Sequence, residues 1–278
     1  MKVERIYLKD EFPQLGEDCG ASVDCYIPMQ MEEMRVEFIH PCLVVCPGGG
    51  YAMTSEREGE PIALNFLNDG YAAFVIHYSV APKCFPQQLL EVAAVMELIH
   101  KNAKAWHCDA QDIAIVGFSA GGHLVAQYSN RYDCPEVRAV FPESKPVQKT
   151  ILGYPVITGN SQYTHRDTRN NFVGRVTEEA DEKGFSCELR VTEKTPPTFI
   201  WHTAADTSVP VENSLLYAMA LSAHKVPYEL HIYPYGEHGL ATVDEWTSVN
   251  LPREYAYCHS WMEDCKKWLK LQKNIEKN

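Results

Sequence analysis

Apolar residues in this chain come in short blocks that alternate between two spacings. Residues 42–46 (Cys-Leu-Val-Val-Cys) and 72–80 (Ala-Ala-Phe-Val-Ile-His-Tyr-Ser-Val) are nearly continuous apolar runs, the pattern of strands buried on both faces. Between them, residues 61–67 carry apolar positions at helical spacing, and residues 87–101 repeat that spacing over a longer stretch. A β-branched strand signal returns at 112–116, and a helix-like run follows at 122–127. Strands are expected again at 150–157, 198–203 and 228–233, with helices at 211–224 and 257–271 after the last two. Strand-helix-strand alternation implies parallel pairing with right-handed crossovers, so the fold class is α/β: a mostly parallel central sheet flanked by helices on both faces. The first 40 residues are expected to lead in as antiparallel strands, residues 22–29 being the best candidate. Residues 158–197 are polar and weakly periodic, which predicts an irregular cap of loops and short helices over the carboxyl edge of the sheet. With no internal repeat, low-complexity tract or long linker, one domain over residues 1–278 is expected.

Composition narrows the class further. Apolar residues make up 45% and charged residues 22% of the 278 positions, close to ordinary globular usage. No stretch approaches the roughly 20 apolar residues of a membrane helix, so no membrane partner is expected. The start, Met1-Lys2-Val3-Glu4-Arg5, lacks the apolar segment of a secretory signal, which points to a cytoplasmic setting. A net charge of −12 repels polyanions and argues against a nucleic-acid partner. The ten cysteines are scattered, without a Cys-x-x-Cys pair, as in a protein of reduced, buried thiols. Cys42 and Cys46 share one face of their strand.

Candidate chemistry centres on Gly117-Phe118-Ser119-Ala120-Gly121. A Gly-x-Ser-x-Gly pentapeptide is weak evidence alone, but this one follows a strand directly and opens a helix, the setting of a nucleophile elbow. The turn strains the serine, and glycines two positions either side leave room for the neighbouring strand and helix. Ser119 is the candidate nucleophile, and the Ala120 N–H sits at the positive end of the helix, where an oxyanion would form. Pro47-Gly48-Gly49-Gly50-Tyr51 follows another strand, and Gly49 and Gly50 are candidates for the second half of that oxyanion hole. No Gly-Lys-Ser/Thr follows the glycine run, which weakens a phosphate-binding reading.

A serine hydroxyl needs a base. Of eleven histidines, His238, in the loop Tyr235-Gly236-Glu237-His238-Gly239 after the final strand, is best placed at the edge where the elbow opens. His77, His123 and His202 read as structural. Asp206, in a turn just past the strand at 198–203, is the candidate acid that orients the base. An aspartate there could instead cap the following helix, and Glu237 is an alternative acid. The chain order Ser119, Asp206, His238, each just past its own strand, favours Asp206. Tyr51, Trp201 and Tyr235 flank these motifs and could stack on a substrate or simply pack.

Taken together, residues 47–51 and 57–61, Tyr78-Ser79, 117–123, Asp206 with Val209-Pro210, and 236–239 resemble the α/β-hydrolase esterases related to acetyl xylan esterases, over nearly the whole chain. Pro47 stands where lipases and related esterases carry the histidine of His-Gly-Gly-Gly, which favours the carbohydrate-esterase branch. The resemblance implies a Ser-His-Asp enzyme that removes O-acetyl groups from xylan fragments or similar sugars through an acyl-enzyme, with no metal or organic cofactor. Its partner would be a small-molecule or oligosaccharide ester, and a homo-oligomer is compatible with it. An amidase, peptidase or aryl-formamidase using the same residues, or a ligand-binding module on this fold, are the rival readings.

Overall fold

The computed structural model describes residues 1–35, 37–175 and 182–275. Eight strands form one sheet in the order β1-β2-β4-β3-β5-β6-β7-β8: β1 is Lys2–Tyr7, β2 Ser22–Ile27, β3 His40–Cys46, β4 Ala72–His77, β5 Cys108–Phe118, β6 Lys149–Gly153, β7 Thr198–Thr203 and β8 Tyr228–Tyr233. β1 and β2 run antiparallel, as expected for the leading segment. From β4 to β8 every pairing is parallel, because each return crosses a face of the sheet in a helix or an irregular connection.

Alternation along the central strands divides the core in two. Cys42, Val44 and Cys46 of β3, with Ile113 and Ile115 of β5, pack against helices Gln87–Trp106, Ala120–Arg131 and Glu212–Ala223. The intervening Leu43, Val45, Ala114 and Val116 pack with Phe199 and Trp201 of β7 against helices Glu60–Leu67 and Ser260–Ile275. Both faces are therefore dry, and each fully buried aliphatic or aromatic side chain there contributes about 1.5–3 kcal/mol. All ten cysteines are free, and among the described residues no helix is long and apolar enough to cross a membrane.

Departures from expectation lie at element ends. β6 stops at Gly153, not Ile157, because Tyr154 turns to φ 35 and Pro155 has no N–H to extend the ladder. β4 ends at His77 and not Val80. β5 begins at Cys108, with a register shift opposite Pro41 and Cys42, an irregularity that its polar start concealed. The last helix begins at Ser260, after a 3-10 stretch at Arg253–His259. In the expected cap, residues 158–197, short helices occur at Arg166–Val173, Glu182–Phe185 and Glu188–Arg190. Residues 176–181 of that segment lie outside the described residues.

The turn that ends β5 positions the site. Ser119 has φ 51 and ψ −120 between β5 and the helix Ala120–Arg131, a conformation costly for a non-glycine residue. A Cβ built on Gly117 would lie 2.3 Å from the Gly121 carbonyl oxygen, and one on Gly121 only 2.1 Å from the carbonyl oxygen of Cys46 and 2.4 Å from that of Pro47. Gly121→Ala must therefore push the end of β3 away from the elbow. A loss of about 3 kcal/mol or more in urea unfolding is expected, whereas Gly20→Ala, which meets nothing within 4 Å, is expected to change stability by less than about 1 kcal/mol.

Candidate active site

Three loops at the carboxyl ends of β5, β7 and β8 bring Ser119, Asp206 and His238 together. His238 Nε2 lies 2.7 Å from Ser119 Oγ, and its Nδ1 lies 2.7 Å from Asp206 Oδ2. Ser119 is 8% exposed and the His238 side chain 21%, so the hydroxyl is shielded yet reachable. The imidazole can accept the hydroxyl proton on Nε2 only if Nδ1 carries its hydrogen toward Asp206, the tautomer a carboxylate partner selects.

Asp206 is built to stay ionised. Its Oδ1 accepts the backbone N–H groups of Ser208 and Val209, both at 2.9 Å. Its Oδ2 is shared between His238 and the buried His202, whose Nε2 lies 3.2 Å away. Burial disfavours the carboxylate, but the hydrogen bonds from His202 and His238, the His238 charge and the Val209 N–H outweigh it and hold Asp206 well below the usual carboxylate range. This is a turn closed around the acid and not a helix cap, since the next helix starts only at Glu212. Glu237 is exposed, and the Nδ1 bond of its neighbour goes to Asp206. His202 is thus structural in a specific sense: it holds Asp206 from behind, with Nδ1 on Ser214 Oγ at 2.7 Å.

Gly49 and Gly50 line the same cleft as Ser119 and His238, with φ of 123 and 64 that favour glycine. Ala120 is buried at the first turn of the helix behind Ser119. The glycine run is held by groups that motif reading did not single out. Glu58, only 3% exposed, accepts the Gly48 N–H on Oε2 at 2.7 Å and the Tyr154 hydroxyl on Oε1 at 2.7 Å. Tyr154 Oη in turn accepts the Ala241 N–H at 3.0 Å, and its ring stands edge-on to His238 with centroids 5.0 Å apart. One carboxylate therefore ties the glycine loop to the loop that carries His238. Burial raises the Glu58 carboxyl above its ordinary range, opposed by the Tyr154 and Gly48 bonds. The one signal for it was its place in the stretch 57–61 that carries the family resemblance. The expected cap also contributes: His165, Asp167 and Asn171 wall the cleft, and Asn171 Nδ2 donates to the Gly50 carbonyl at 2.9 Å.

The aromatic candidates separate. Tyr51 is fully buried, its hydroxyl 2.9 Å from His123 Nδ1 and its ring against Phe172; φ of 55 turns its side chain into the core. Trp201 is also fully buried, stacked on Trp261 at 4.8 Å, because its place in β7 faces the last helix. Neither can touch a substrate, contrary to the sequence expectation; both are packing residues. Tyr235 is 59% exposed but does not line the cleft. His123 is buried against Phe185, and burial pushes it down to about 3, so it stays neutral.

The arrangement has the parts for acyl transfer: a hydroxyl, a base oriented by a buried carboxylate, and a glycine loop beside them. Comparison with known proteins agrees in fold. The acetyl ester-xyloside bifunctional hydrolase of Caldicellulosiruptor lactoaceticus superposes with a TM-score of 0.81 at 33% identity, covering 96% of this chain and 95% of that one. Among curated relatives, the acetylxylan esterase of Xylanibacter ruminicola is 30% identical over 262 residues, 92% of this chain and 49% of that protein. Endo-1,4-beta-xylanase B of Butyrivibrio fibrisolvens is 37% identical over 212 residues, 73% of this chain and 33% of that protein. The chain thus spans between a third and a half of these two curated relatives. The sheet order and its structural neighbours make this an α/β-hydrolase fold, and with the BD-FAE family model matching residues 23–221, the chain belongs to that family.

Proposed function

We propose that this protein is a serine carboxylic-ester hydrolase that removes O-acetyl groups from xylo-oligosaccharides or related sugars. The observation that carries the reading is the unbroken relay from Asp206 through His238 to Ser119, with both contacts at 2.7 Å. In this mechanism Ser119 Oγ attacks the ester carbonyl while His238 Nε2 takes its proton, and Asp206 stabilises the imidazolium. The carbonyl oxygen gathers negative charge against the N–H groups of Gly49, Gly50 and Ala120. Collapse of the tetrahedral intermediate expels the sugar alkoxide, which takes its proton from His238. Water activated by the same histidine then releases acetate from Ser119. The sugar and the acetyl group are suggested by the relatives named acetylxylan esterase and acetyl ester-xyloside hydrolase.

Three outcomes are expected. Ser119→Ala lowers kcat on acetylated xylo-oligosaccharides by on the order of a millionfold and abolishes labelling by a fluorophosphonate probe; retention of most activity by this variant would exclude the mechanism. Glu58→Gln keeps one acceptor where two are used, so either the Gly48 N–H or the Tyr154 O–H loses its acceptor. Steady-state kinetics are expected to show kcat lower by about 10- to 100-fold, the equivalent of one hydrogen bond to a charged group, with KM changed far less. For Asp206, whose carboxyl is lowered in the folded state, the stabilisation is fully present above the ordinary aspartate value of about 4 and is lost as pH falls through the lower folded value. Urea unfolding across pH should therefore find the stability gap between wild type and Asp206→Asn widest near neutrality and closing in acid.

A further inference from the structure

Beside the cleft of about 440 Å³ that holds Ser119 and His238 lies a larger cavity of about 680 Å³, and Ser55 and Arg57 line both. We infer that this larger cavity is the subsite for the alcohol half of the ester, and that it takes a neutral oligosaccharide chain. The inference rests on the ester-hydrolase reading above.

Direction comes first. The leaving oxygen must take its proton from His238 Nε2, so the alcohol half leaves the reaction centre within reach of that residue. Arg57 sits on this side: its Nη2 lies 3.0 Å from the position a Cβ would take on Gly239, the residue after His238, and its Nη1 donates to the Thr247 carbonyl at 3.5 Å. Beyond Arg57 the second cavity opens, with Trp246 at its rim, 59% exposed.

Chemistry comes next. A pyranose ring presents a flat C–H face and a rim of hydroxyls. An exposed indole offers a π-face to the first, and the carboxylates of Glu56 and Glu60 with the Arg57 guanidinium offer acceptors and donors to the second. The floor is fixed: Asp24 is held by Arg5 Nε and Nη2 at 2.6 and 2.7 Å and by His77 Nε2 at 2.8 Å, across three neighbouring strands. Two guanidiniums face three carboxylates in the lining, so the field does not draw anions, and a chain already at −12 repels them. An uncharged, hydroxyl-rich ligand fits this balance. The size is within the range of small-molecule sites, about 300–1,000 Å³, and exceeds what a released acetyl group alone requires.

The test uses acetylated xylotriose and 4-nitrophenyl acetate with wild type, Trp246→Ala and Trp246→Phe. For Trp246→Ala, kcat/KM for the saccharide ester is expected to fall about tenfold relative to the nitrophenyl ester, through KM, as for loss of one stacked ring; Trp246→Phe recovers part of that ratio. Isothermal titration of acetylated xylotriose into Ser119→Ala, with and without Trp246→Ala, is expected to show about tenfold weaker binding in the double variant. A kinetic ratio that does not move, or equal binding to both titrated variants, overturns the subsite. The titration needs no turnover, so a wild type that hydrolyses neither ester defeats the hydrolase reading while the binding comparison still decides the groove.

Discussion

The contact on which the site depends is a backbone approach between two turns. Gly121, just after the elbow, lies against the carbonyl groups of Cys46 and Pro47 where β3 gives way to the glycine run. A side chain at that point would separate Ser119 from Gly49 and Gly50. Because strands β3 and β5 are neighbours and are buried on both faces, their register delivers the two turns to the same spot, and the missing Cβ lets them meet. The strain at Ser119 is held by the core beneath it and by its own backbone bonds, its N–H donating to the Gly153 carbonyl and its carbonyl accepting from Val156, both at 3.0 Å.

Around this contact two buried carboxylates divide the work. Asp206 accepts hydrogen bonds on both oxygens from histidines and turn N–H groups and is pinned in its charged form. Glu58 has fewer partners and deeper burial, and sits above its ordinary range. The first orients the imidazole. The second links the glycine loop, through Tyr154 and Ala241, to the segment carrying that imidazole. Separate stretches of chain are coupled by charge-assisted hydrogen bonds that no single loop could supply.

Much of this is legible in the chain itself. The continuous apolar runs of β3, β4 and β7 mark strands covered on both sides, and their order with the helices leaves few topologies. Ser119, Asp206 and His238 stand out because each follows a strand read from the sequence, although the one before His238 is an interrupted edge strand. Glu58 was not legible, since a single buried acid has no periodicity and acquires its meaning from Gly48 and Tyr154, which are distant or differently placed in sequence. The segment from 158 supplies His165 and Asn171 through irregular contacts that no spacing encodes. Tyr51 and Trp201 misled because adjacency to a motif says nothing of side-chain direction. For Trp201 the parity it shares with Phe199 in β7 puts it on the face covered by the last helix.

The strand before His238 is also the edge of the sheet. Among the described residues β8 pairs with β7 alone, and the loop that carries the imidazole begins where β8 ends. Ser119 follows β5, in the middle of the sheet order, 119 positions earlier in the chain. Ribosomal synthesis therefore completes the elbow well before His238 exists, and the contact between the two waits on docking of an edge strand. A nascent or partly unravelled chain therefore carries Ser119 without the imidazole that lies 2.7 Å from it in the folded protein.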